Sequence, residues 1–170
     1  MTSQIRVDSI VPTTGVPTGG GGGIVQCVQE VLTSTITVSS QSFTNVGFAA
    51  TITPRSNSNK ILAIADIASS GSNGNYILFQ LVRDSTNIYR GTDSKTYLAS
   101  KAFYPNSTIN SDDGTAVGNT NIVFLDSPQD NSPITYKVLV RVTSNSAVIN
   151  GRDDNDTCLA SSFTLMEVSA

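Results

Sequence analysis

The chain has 170 residues, 38% apolar and only 14% charged, with a formal net charge of −3, an isoelectric point near 4.7 and no histidine. That length suits one domain plus an appendage and buries a core without a metal or disulfide staple. The composition excludes the basic footprint of a nucleic-acid binder and a Ser-His-Asp or Cys-His nucleophile system, and no apolar run reaches the length of a membrane span.

Residues 1–23 differ from the rest. Ile5, Val7 and Ser9 alternate with Arg6, Asp8 and Ile10, and Val11 follows, predicting a short strand with few anchors. Pro12, Pro17 and the run Gly19 to Gly23 come next. A glycine run is a flexible linker, because glycine loses most entropy on ordering. A phosphate-binding loop would follow a buried strand and open a helix, and the downstream segment is β-like. No charged-then-apolar signal peptide opens the chain, so release from a cell is expected by another route, such as lysis. The expected organisation is an arm and linker over 1–23 and one domain over 24–170.

From Ile24 onward the signals are those of repeated strands. Residues 24–32 are β-rich and half polar. Val46, Phe48, Ala50 and Ile52 alternate until Pro54. Residues 60–67 are nearly continuous apolar, as are 76–83, which predicts strands covered on both faces. Asn73-Gly74 between them is a hairpin dipeptide. Residues 101–118 look irregular. Ile134, Tyr136, Val138, Val140 and Val142 form the cleanest half-buried alternation, and residues 158–168 make the last run. No segment has helical spacing with a cap and a stop. Eight to ten short strands separated by Gly, Asn, Ser and Pro turns predict an all-β fold, an antiparallel β-sandwich of jelly-roll type.

Candidate chemistry is sparse. Cys27 and Cys158 are expected as small buried thiols, reduced, since a two-cysteine metal site lacks further ligands. Asp112-Asp113 and the Asp153, Asp154, Asp156 cluster lack the spacing of a calcium loop and read as solvated turns. Glu30 and Glu167 are the only glutamates and are expected as a structural ion pair or as solvent-facing residues rather than as a glycosidase pair. No catalytic residue, metal or cofactor is expected. Phe48, Phe79, Phe124 and Phe163 belong to the core. Tyr97, Phe103 and Tyr104 fall in a less regular segment and are the candidates for host or glycan contact, against the plainer alternative that they pin a loop.

Several motifs carry a resemblance. They are Gln4-Ile5-Arg6-Val7-Asp8-Ser9-Ile10-Val11-Pro12 before the glycine linker, then Ile24-Val25-Gln26-Cys27-Val28-Gln29. Further on come Ala50-Thr51-Ile52-Thr53-Pro54 with Ser58-Asn59-Lys60-Ile61-Leu62, Phe124-Leu125-Asp126-Ser127-Pro128, and Phe163-Thr164-Leu165-Met166-Glu167-Val168. The chain resembles small tail-fibre-like and decoration-like virion proteins of tailed phages that infect cyanobacteria and marine bacteria. The resemblance implies a homotrimeric surface projection with a TNF-like jelly roll outward. The arm, through Ile5, Val7, Ile10 and Val11, would join other virion proteins by strand addition. A capsid decoration protein with the same fold is the alternative, and a carbohydrate-active enzyme the less favoured one. The expected partners are the chain itself, tail or capsid proteins and a host surface glycan.

Overall fold

The computed structural model describes residues 23–72, 74–105, 115–152 and 157–170. They form β1 (Ile24–Leu32), β2 (Ile36–Val38), β3 (Thr44–Ile52), β4 (Lys60–Ser72), β5 (Ile77–Arg83), β6 (Thr86–Tyr89), β7 (Lys101–Phe103), β8 (Thr115–Asp126), β9 (Ile134–Val142), β10 (Ala147–Ile149) and β11 (Ser161–Val168). The first sheet runs β1-β11-β4-β10-β2, with β8 paired to β4. The second runs β3-β9-β5-β6, with β7 also on β5. Every pairing is antiparallel. Without the short strands the sheets read β1-β11-β4-β8 and β3-β9-β5-β6, and consecutive long strands mostly change sheet, as in a jelly roll. The expected antiparallel sandwich is the fold observed.

The core lies between the sheets. Along β9, Ile134, Tyr136, Val138, Val140 and Val142 are 0–2% exposed while the residues between them are half-buried. Period-2 alternation therefore marks the inward face, as it must on a pleated strand. Ile61, Ala63, Ala65 and Ile67 of β4 face inward from the other sheet, with Phe163 and Leu165 of β11. Phe48 and Phe163 meet with ring centroids 5.5 Å apart and join the two layers.

Two polar networks are buried with the core. Asp126 Oδ2 accepts from Arg83 Nη1 at 2.7 Å and from the Tyr136 hydroxyl at 2.7 Å. It thereby links β8 of one sheet to β5 and β9 of the other. The Glu167 carboxylate accepts from Gln26 Nε2 at 2.6 Å, from the Arg55 backbone N–H at 2.7 Å and from Asn59 Nδ2 at 2.6 Å. These bonds fasten the connection between β3 and β4 to the end of β11.

Several expectations are corrected. Cys27 and Cys158 are exposed free thiols, not buried ones. β1 and β11 do pair, but Cys27 lies opposite Met166 on the outer side of the sheet, and Cys158 precedes β11 in a bridge to Gly151. Glu167 is fully buried and satisfied by neutral donors, with no ion pair among the described residues, while Glu30 is exposed. Asn73 lies outside the described residues, and β4 and β5 on either side belong to different sheets rather than to one hairpin. Residues 101–118 contain β7 and the start of β8. The sequence of β5 reads as buried on both faces and is. β4 is not, because Leu62, Ile64 and Asp66 of its outer side remain only half-buried. Phe124 is half-buried at the core edge, stacked on Tyr89 with centroids 4.9 Å apart.

Candidate interaction surfaces

The outer side of the first sheet is unusually apolar. Paired residues share a face, so the registers define its rows. Cys27, Met166, Leu62 and Leu125 form one row across β1, β11, β4 and β8. Gln29, Thr164, Ile64 and Val123 form the next, and Val31, Ser162, Asp66 and Asn121 a third. Val31, Val123 and Leu125 are 54%, 56% and 48% exposed, and Val117 further along β8 is 45% exposed. Beyond the first row, Ile24 opposite Val168 is 59% exposed. Single exposed apolar residues are ordinary, but a contiguous set on one sheet face marks a contact surface. Among the described residues Asp66 Oδ1 is enclosed on this side of β4 without a hydrogen-bond partner. β8 also ends the sheet, since among the described strands it pairs only with β4. A twelve-residue unpaired edge is a natural place for another chain to add.

The second sheet presents aromatic rings instead. Tyr76 precedes β5, and Tyr104 follows β7 opposite it, by continuation of the Ile77–Phe103 register. Their rings pack 4.5 Å apart and each residue is 44% exposed. Asn75 holds this corner: its Oδ1 accepts from the Thr143 and Ser144 backbone N–H groups at 3.1 Å each. One row inward, Arg141 of β9 lies opposite Leu78 of β5. Its guanidinium carbon is 5.8 Å from the Phe43 ring centroid and 5.1 Å from that of Tyr97. Tyr97, 46% exposed, comes from the long connection between β6 and β7.

The three aromatics singled out in the sequence thus part ways. Tyr97 and Tyr104 stand on the surface of the second sheet. Phe103 turns inward and packs against the core, so close to Gly118 that a Cβ there would lie 2.5 Å from its Cε2. Sequence reading missed Tyr76, Phe43 and Arg141. The available signal for Arg141 was its place among the outward positions of the β9 alternation, between Leu139 and Thr143. Ile5, Val7, Ile10 and Val11 lie outside the described residues, as do the Asp112-Asp113 pair and Asp153, Asp154 and Asp156. Among the described residues no group of three or more His, Cys, Asp or Glu side chains is gathered as metal ligands. No helix among the described residues is long and apolar enough to cross a membrane.

The chain matches no protein-family model, and no curated protein matches it.

Proposed function

We propose that this protein is a structural component of a phage particle: a non-catalytic, homotrimeric surface projection of tail-fibre type, attached through residues 1–23. The observation that carries this reading is the apolar outer face of β1-β11-β4-β8, which a monomer would leave in water. In a threefold ring the three copies turn this face toward the axis, each meeting a different part of its neighbour's surface, and cyclic closure then leaves none exposed. The motif resemblance supports the phage assignment. The outer side of the second sheet, with Tyr97 and Tyr104, points away from such an interface because the core separates the two faces. It is therefore the side available to a host surface glycan, with Phe103 as an inward support.

The decisive experiment locates and counts the protein in intact particles. A few trimers on the tail are expected. Hundreds of copies on the shell would replace the fibre reading by capsid decoration, and absence from purified particles would overturn both.

A further inference from the structure

The strands of the second sheet carry four cations, Arg83, Lys101, Lys137 and Arg141, and no carboxylate. The acidic residues found in strands, Glu30, Asp66, Asp126 and Glu167, all belong to the first sheet. In a chain of net charge −3, that segregation makes the second sheet the place where an anion meets least repulsion. Arg83 is already neutralised by Asp126 at 2.7 Å. Arg141 is not. Among the described residues it makes no hydrogen bond or ion pair, and its Nε is enclosed without an acceptor.

A guanidinium packed on two rings keeps its plane and its charge but still lacks acceptors. Its fork matches a carboxylate, with two parallel N–H···O bonds. The Tyr76–Tyr104 pair lies in the next row of the same face, roughly 7 Å along the strands. Exposed tyrosine faces beside a planar cation suit a ring that is apolar on one side and carries a carboxylate at its edge. We propose that Arg141, with Tyr97, Tyr76 and Tyr104, binds a carboxylate-bearing sugar, a uronic acid unit of a surface polysaccharide. This inference rests on the glycan-contact part of the proposed function and names its ligand class.

The test is calorimetric titration of the full chain with trisaccharides of galacturonate, glucuronate and mannuronate, with galactotriose as the neutral comparison and a sulfated trisaccharide as the other anion. At least one uronate should bind, and galactotriose should bind roughly tenfold more weakly or not at all, as expected for losing a charge-assisted contact. Arg141→Gln and Tyr76→Ala should weaken the uronate by a similar factor, while Lys60→Gln, on β4 of the first sheet, leaves it unchanged. Because Arg141 also steadies Tyr97, the nitrogen-15 shift of the wild-type Arg141 Nε–H is followed as well and should move with uronate and not with galactotriose. Failure of all three uronates, equal binding of the neutral sugar, tighter binding of the sulfated one, or an unmoved Nε signal overturns the proposal. A particle that carries the trimer yet ignores uronates removes this inference alone. Absence from the particle, with uronate binding intact, removes the virion reading alone.

Discussion

Replacing Val123 and Leu125 together by aspartate should abolish self-association and leave each subunit folded. Both side chains point away from the core, with 56% and 48% of their surface in water, so no inward packing is lost. Full burial of such a side chain is worth about 1.5–3 kcal/mol, and the exposed half therefore about 0.7–1.5 kcal/mol when a partner covers it. Ile24, Val31 and Val117 are exposed to 59%, 54% and 45%. The five side chains together offer roughly 4–7 kcal/mol per copy. Closing a trimer covers three such faces while removing the free motion of two subunits, at a cost on the order of 4–15 kcal/mol each. Three faces thus offer about 12–21 kcal/mol against a cost of about 8–30 kcal/mol, so the balance is close and losses on this face decide it. The double substitution forfeits about 1.5–3 kcal/mol per copy and adds carboxylates that resist desolvation. Summed over three copies, that moves the equilibrium by several powers of ten, since about 1.4 kcal/mol is tenfold. Sedimentation velocity at micromolar concentration should show a wild-type trimer and a monomeric variant, with matching far-ultraviolet circular dichroism. A monomeric wild type, or a trimeric variant, refutes the assignment of this face.

Asp126→Ala should destabilise the domain by about 2–4 kcal/mol in denaturant unfolding, because it strands the buried Tyr136 hydroxyl and unpairs Arg83; an unchanged midpoint would contradict that role. Burial, then the hydrogen bond to Asp126 and its charge, hold the Tyr136 phenol well above its ordinary value of 10.0. The native state thus keeps the proton longer than the unfolded one. This contribution is fully present below about pH 10 and is lost as pH climbs toward the folded value. Thermal melts should show a fall above about pH 10 that Tyr136→Phe makes shallower, and identical profiles would refute the link. Gly118→Ala places a methyl group 2.5 Å from Phe103 Cε2 and should cost about 1–3 kcal/mol by overpacking, with Phe103→Leu restoring part of it; an unaffected single variant would show that the ring has room. Deleting residues 1–18 should leave the melting temperature nearly unchanged and stop incorporation into particles, so incorporation at the wild-type level would remove the attachment role.

Much of the fold was legible because its cause is local. A strand's side chains alternate whatever lies next to it, so the pattern from Ile134 to Val142 already names the residues that line the core. The turn-forming residues between runs likewise announced many short strands and no helix. What local pattern could not tell was which apolar face its own chain would cover. Residues 60–67 and 76–83 look alike in sequence. β5 is nevertheless closed on both sides, whereas β4, set between β11 and β8, keeps its outer side half open. The Glu167 cluster draws on Gln26, Arg55 and Asn59, and Arg141 meets Phe43 and Tyr97. None of these neighbours is close in sequence. Exposure of Cys27 and pairing of Tyr76 with Tyr104 likewise follow from strand register. Alternation is a property of one strand, while burial and side-chain partnership belong to the neighbouring strands, which only the assembled sheets supply.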